Sequence, residues 1–225
     1  MDKTKKIRKP ERGGLNVNNP VRSETECGVS TGSATGKLQW KPGNMLYPLP
    51  AALVSCGASE EEYNLFTASW TGTICSDPPM CYVSIRKERH SYEIIKKNME
   101  FVINLTNENL AFATDWCGVR SGRDFDKFKE MKLTPIRGQK VSAPIVAESP
   151  VNIECRVTQI MPLGSHDMFI AEVLNVQADS RYVNEETGAF DLVEKAKLMA
   201  YSHGNYYKIG KKIGKFGWSV KKKKK

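Results

Sequence analysis

The chain has 225 residues with 40% hydrophobic and 9% aromatic content, enough for one sizeable buried core. Its net charge of +9 sits at the ends: residues 1–12 contribute +4 and residues 203–225 contribute +9, which leaves −4 for 13–202. A mildly acidic body between basic tails does not support a basic nucleic-acid face on the fold, and no apolar run approaches the length of a membrane span.

Residues 1–39 are poor in large apolar groups and include Ser30-Thr-Gly-Ser-Ala-Thr-Gly36, the composition expected of a flexible N-terminal extension. The folded domain is expected over 40–210, starting near Trp40-Lys-Pro-Gly43, with 211–225 as a lysine-rich tail. Runs rich in β-branched and aromatic residues, bounded by turn residues, predict strands at Ala52–Ser59, Asn64–Ser69, Met80–Arg86, Phe101–Leu105, Asn152–Met161 and Met168–Ala178. Helices are predicted at Ser91–Asn98, Asn107–Trp116 and Phe125–Met131. Strands and helices do not alternate regularly, and no Gly-x-Gly-x-x-Gly follows a strand. A doubly wound nucleotide fold is disfavoured and an antiparallel β-barrel with helical decorations is expected.

The segment from Asn64 to Leu105 carries most of the chemistry. In a strand, Asn64, Phe66, Ala68 and Trp70 share one face while Leu65, Thr67 and Ser69 share the other. Small Ala68 and Ser69 admit a ligand close to the backbone, and Trp70 either covers a ring edge or joins the core. A strand ending in Ser84-Ile-Arg86 then turns through Arg89 and His90 into a helix beginning near Ser91. That order offers an anion a guanidinium, hydroxyl donors and free helix-start amides; alternatively it is an ordinary basic turn with Ser91 as N-cap. Later, His166 stands in Gly164-Ser-His-Asp-Met168 at a hairpin-like turn, where a solvated histidine is the simpler alternative to a site residue. Lys127 lies in Arg123-Asp-Phe-Asp-Lys-Phe128, where spacing alone suggests a surface pair with an acid.

The six cysteines are scattered without a Cys-x-x-Cys pair, which disfavours iron–sulfur and structural zinc sites. Free thiols, and with them a reducing cytoplasm, are expected. The tail repeats Lys-Ile-Gly-Lys at 208–211 and 212–215 and then carries five lysines; a solubilising segment is the expected reading, although clustered lysines also attract anionic surfaces.

Taken as an ordered set, Asn64-Leu-Phe-Thr-Ala-Ser-Trp-Thr-Gly72, Asp77-Pro-Pro-Met80, Ser84-Ile-Arg-Lys-Glu-Arg-His-Ser-Tyr92 and Phe101-Val-Ile-Asn-Leu105 carry a resemblance. Cys117-Gly-Val-Arg-Ser-Gly122, Asp126-Lys-Phe128 and Gly164-Ser-His166 extend it. From Trp40 to about Gly210 the chain resembles the flavin reductase-like family that binds FMN in a split β-barrel, and within it the flavoredoxin kind. The resemblance implies a mainly β fold with α decorations, a homodimer, and FMN held without a covalent bond near the subunit interface. It places Asn64, Thr67, Ala68, Ser69 and Trp70 along the flavin ring, and Ser84, Arg86, Arg89, His90 and Ser91 at the phosphate. Lys127 and His166 would also lie beside the flavin. It further implies NAD(P)H as a possible electron donor, with a redox protein partner as the alternative to a small acceptor. No residue is assigned as a general acid or base. Cys117 falls in a motif placed near the flavin, but without a resolving cysteine nearby a free, partly buried thiol is expected.

Overall fold

The computed structural model describes residues 36–220 except Gln39 and Leu192, so the expected extension over 1–39 lies almost wholly outside the described residues. The chain divides into two units, Met1–Met45 and Leu46–Lys225, and every strand and helix falls in the second. In chain order these are β1 (Leu49–Pro50), β2 (Ala52–Cys56), β3 (Asn64–Ala68), β4 (Thr71–Ser76), β5 (Pro79–Ile85), α1 (His90–Asn98), β6 (Glu100–Leu105), α2 (Ala111–Val119) and α3 (Lys127–Glu130). There follow β7 (Pro135–Arg137), β8 (Pro144–Val146), β9 (Val151–Pro162), β10 (Asp167–Ala178), β11 (Met199–Ser202) and β12 (Asn205–Lys208).

Seven strands form one antiparallel sheet in the order β3-β2-β6-β9-β10-β5-β4. Its middle is the long β9–β10 hairpin, whose register slips between Ile170 and Ala171 and again between Val173 and Asn175. Such bulges sharpen twist and bend the strands, which lets the sheet curl. At the far edges the connection between β3 and β4 meets β5, where the Ser84 amide donates to the Trp70 carbonyl at 2.9 Å.

Both faces of the sheet are covered, so its central strands read as apolar runs. On β2, Ala52, Val54 and Cys56 face the barrel interior with Phe66, Phe101 and Phe169, while Leu53 faces the other way. Leu53 and Leu65 pack under Leu110, Ala113 and Cys117 of the α2 region and Phe128 of α3. Helix α1 closes the interior with Tyr92, Ile94 and Ile95 and ends at Met99 in the left-handed conformation.

The six predicted strands and three predicted helices are present, with ends shifted by a few residues; Ala52–Ser59 stops at Cys56, and Asn107–Trp116 is a 3-10 turn at Glu108–Leu110 running into α2. Six further strands, β1, β4, β7, β8, β11 and β12, were not anticipated. β11 and β12 form a hairpin turning at His203 and Gly204, both at positive φ (47° and 83°), the backbone a tight hairpin turn requires. With β1 they make a separate three-stranded sheet. Among the described residues no helix is long and apolar enough to cross a membrane, and Cys56, Cys75, Cys81, Cys117 and Cys155 are free.

Candidate functional site

A cleft of about 240 Å³ opens where β3, the end of β5 and the β9–β10 hairpin come together. From β3 and the turn after it come Phe66, Thr67, Ala68, Ser69 and Trp70. The end of β5 and the elbow beyond it bring Ser84, Ile85, Arg86 and Arg89, and the hairpin brings His166. Tyr47 and Tyr201, the latter on β11, complete the wall, with their ring centroids 6.2 Å apart.

Local backbone accounts for these placements. Thr67 is fixed by its hydroxyl, which donates to the Thr114 carbonyl, and its side chain lies so close to Gly118 that a Cβ there would approach within 3.2 Å. Trp70 neither joins the core nor stands free: half-buried, its ring meets the His166 imidazole at 4.5 Å between centroids, tilted by 56°. His166 is held by the β9–β10 turn, where the Leu163 amide donates to its carbonyl at 3.0 Å. Burial, then the neighbouring Arg86 charge, keeps its imidazole below the ordinary histidine range and so favours its neutral form.

Cationic donors at the cleft are not consumed by the fold. Among the described residues Arg86 makes only an exposed ion pair with Glu88 at 3.3 Å, and Arg89 donates to the Gly118 carbonyl at 3.4 Å. Exposed pairs of this kind contribute about 0–1 kcal/mol and yield readily to a better anion. Arg89 is also the N-cap of α1 and supplies no side-chain cap.

The other predicted residues lie away from this cleft. Asn64 and Ser91 are buried and bonded to each other, the Asn64 amide donating to the Ser91 hydroxyl at 2.7 Å. Gly122 packs on this pair; a Cβ there would stand 2.1 Å from Asn64 Oδ1. His90 lines a second, wider cavity of about 990 Å³ between the 58–63 turn and the 122–126 loop. Its imidazole is held low by burial and then by the Arg123 and Lys127 charges.

Lys127 departs from the surface-pair reading that its spacing suggests. It is 4% exposed, makes no ion pair among the described residues, and donates to the Cys117 carbonyl at 2.8 Å. Phe128, its neighbour, is pulled into the core beneath β3, and the lysine goes in with it. Burial lowers its ammonium to about 8. Cys117, only 1% exposed, is pushed up to about 11 by the same burial and is an unreactive thiol at neutral pH.

Two wall residues, and one buried residue next to the wall's His166, escaped the sequence reading. Tyr47 and Tyr201 stand far from the Asn64–Leu105 segment in sequence, and only pairing of β1 with β11 brings them in. Asp167, beside His166, was passed over although an acid following a turn histidine is a visible signal; it is 3% exposed and its Oδ2 accepts from the Tyr92 hydroxyl at 2.7 Å.

A curled, mainly antiparallel sheet with a cationic, aromatic-walled cleft at its strand edge is a split β-barrel. Residues 44–210 match the sequence model of the flavin reductase like domain, and the chain belongs to that family. Its fold is similar to that of flavoredoxin from Desulfovibrio vulgaris (Miyazaki F), with a TM-score of 0.76 and 29% identity over 82% of this chain and 100% of that one. A protein of Archaeoglobus fulgidus is 32% identical over 131 residues, covering 58% of this chain and 73% of its own length. The FMN reductase (NADH) RutF of Acinetobacter baylyi is 26% identical over 112 residues, 50% of this chain and 57% of the relative.

Proposed function

We propose that this protein is an FMN-binding oxidoreductase that passes reducing equivalents from NADH or NADPH to a flavin or another acceptor. One observation carries the reading: Arg86, Arg89 and the Ser84 hydroxyl, whose bonding the fold leaves open, stand in one cleft with the Trp70–His166 pair. An anion beside a flat ring satisfies both halves, and FMN is such a ligand. The residues present fit it: small Ala68 and Ser69 leave the edge of β3 open to a ring, and two guanidiniums face the position of a phosphate.

FMN, once bound, supplies the electron and hydride chemistry itself; the protein binds, orients and sets the electrostatics. Arg86 and Arg89 hold the phosphate. Thr67 through Trp70 present backbone and short side chains to the ring, where amides next to developing negative charge stabilise the reduced form. His166 packs on Trp70, and the same surroundings that favour its neutral form let it give or accept a hydrogen bond. Asn64, Ser91, His90 and Lys127 act from behind, shaping β3 and the start of α1 and adding positive potential.

The cleft is smaller than the ~300–1,000 Å³ typical of sites that enclose a drug-sized ligand. A second copy of the chain completing the walls, and hence a homodimer, is part of the proposal. NADH as donor is supported by the resemblance to an NADH-dependent FMN reductase. The similarity to flavoredoxin favours a second reading, an FMN-carrying electron-transfer protein that serves a protein partner.

A visible spectrum before and after anaerobic NADH and then NADPH separates the two. Flavin bands that bleach with either nucleotide support the reductase and identify its donor. Bands that bleach only with dithionite support the carrier. Protein that takes up no flavin when FMN is added back contradicts both.

A further inference from the structure

The elbow that carries Arg86 and Arg89 has little backbone bonding of its own. Between the end of β5 and the first turn of α1, the Arg89 amide donates to the Arg86 carbonyl at 3.1 Å and the Tyr92 amide to the Arg89 carbonyl at 3.0 Å. Arg86 and Lys87 expose 44% and 56% of their side chains, so packing does not hold them. Arg123 donates to the Glu88 carbonyl at 3.2 Å and Arg89 to the Gly118 carbonyl at 3.4 Å, which leaves the Arg86 side of the elbow to be fixed relative to His166.

One buried carboxylate touches both ends of this elbow. Asp167 opens β10 directly after His166 and pairs in register with Ile85, the last residue of β5. Its Oδ2 accepts from the Tyr92 hydroxyl at 2.7 Å, just past Ser91. Its Oδ1 lies 3.4 Å from Lys87 Nζ, just past Arg86, yet is buried without an aligned hydrogen bond. Tyr92 is itself 5% exposed, its ring edge-on to Phe169 at 5.4 Å, so the hydroxyl has one place to go. That hydroxyl is pushed up to about 12, first by the bond to Asp167 and then by burial, so it remains a donor throughout the working pH range.

We propose that Asp167 is the positioning residue of the anion-binding elbow, clamping its two ends through Lys87 and Tyr92 and thereby setting Arg86 and Arg89 against His166 for a ligand phosphate. The inference rests on the reading of the cleft as a flavin phosphate site. It makes a prediction whose sign is informative. A carboxylate beside the elbow opposes a bound anion, so a field effect alone would make its removal strengthen phosphate binding. Loss of a clamp weakens it, because a guanidinium displaced by an ångström no longer makes its charge-assisted bonds.

The experiment compares FMN with riboflavin, which has the same ring and no phosphate, in wild type, Asp167→Asn, Tyr92→Phe and Lys87→Met. Affinities come from quenching of flavin fluorescence, and thermal unfolding is recorded for each variant. Asp167→Asn and Tyr92→Phe are expected to weaken FMN on the order of tenfold while riboflavin stays within about twofold, so that discrimination collapses. The exposed Lys87→Met variant folds whatever becomes of the buried pair and is expected to lose discrimination in the same direction by a smaller factor. Tighter FMN binding in Asp167→Asn overturns the proposal. So does a lower unfolding temperature with discrimination intact, which would make the residue a purely structural one. Wild-type protein that binds FMN and riboflavin alike overturns the phosphate-site reading, and the inference with it.

Discussion

Two polar regions of this molecule differ in what they leave unmet. Behind β6 and β9, the Glu154 carboxylate is fully buried and accepts from the Lys140 and Val141 amides and the Asn175 and Gln177 side chains. Beside it, Asn104 and Asn152 are bonded to each other and to the carbonyl and amide of Val146. In the cleft, by contrast, Arg86 and Arg89 make one exposed pair and one long bond. A satisfied polar cluster holds a loop to a sheet; donors facing open space call for a ligand.

The largest effect is expected where satisfaction is complete. Glu154→Leu strips the acceptor from four donors and should destabilise the fold by about 3–5 kcal/mol, the scale of a broken buried charged network. Denaturant unfolding checks it, and a loss below about 1 kcal/mol would mean that the network is not structural. Burial pushes the Glu154 carboxyl up, but the hydrogen bonds from Lys140, Asn175 and Gln177 outweigh it and hold it below the ordinary range. Because its folded value is depressed, this stability is present above the ordinary carboxylate range and is lost as pH falls through the folded value.

At the cleft, Arg86→Ala should leave the fold unchanged and weaken FMN by about 1.5–3 kcal/mol, the scale of a hydrogen bond to a charged group. Unchanged FMN affinity would remove Arg86 from the phosphate.

Lys127 falls between the two regions, buried like Glu154 but with a single bond. A lysine lowered to about 8 costs stability while charged in the fold, in full below about 8. The cost relaxes between there and 10.5, where the unfolded chain still holds the proton and the fold does not. In flavin-free protein, Lys127→Met should therefore be more stable than wild type to denaturant at pH 7 by about 1–2 kcal/mol, with the gap closing towards pH 10. A gap independent of pH would place the effect in packing.

The smallest effect is expected at the lysine-rich tail. Removing residues 216–225 should leave flavin content and cleft affinity unchanged, and colourless protein after this truncation would show that the tail supports the cleft.

Most of the long strands were legible from local signals. Apolar and β-branched runs on β2 and β3 and turn residues at Gly164 and Pro78 mark them, although β2–β6, β6–β9 and β5–β10 pair strands far apart in the chain. The short strands were not legible for the opposite reason. β1 and β7 have two and three residues, too few for a period, and acquire meaning only when β11 and β8 lie beside them. The β11–β12 hairpin did carry a signal, His203-Gly204 between aromatic runs, that was masked by the basic composition downstream.

For the site, sequence supplied the residue types and missed their sides. Thr67, Ala68, Ser69 and Trp70 face the cleft because β3 is a sheet edge. Asn64 is drawn away to Ser91, and Lys127 is buried by Phe128, contacts that no spacing within one segment reveals.

The central claim is that the open donors of the cleft hold a flavin phosphate. Its most direct test is a titration of flavin-free protein with FMN and with riboflavin, in wild type and Arg86→Ala, followed by flavin fluorescence. Saturable quenching by FMN at one flavin per chain, weaker binding of riboflavin, and a difference that disappears in Arg86→Ala are expected. Equal affinity for the two flavins in wild type, or no quenching by either, would contradict it.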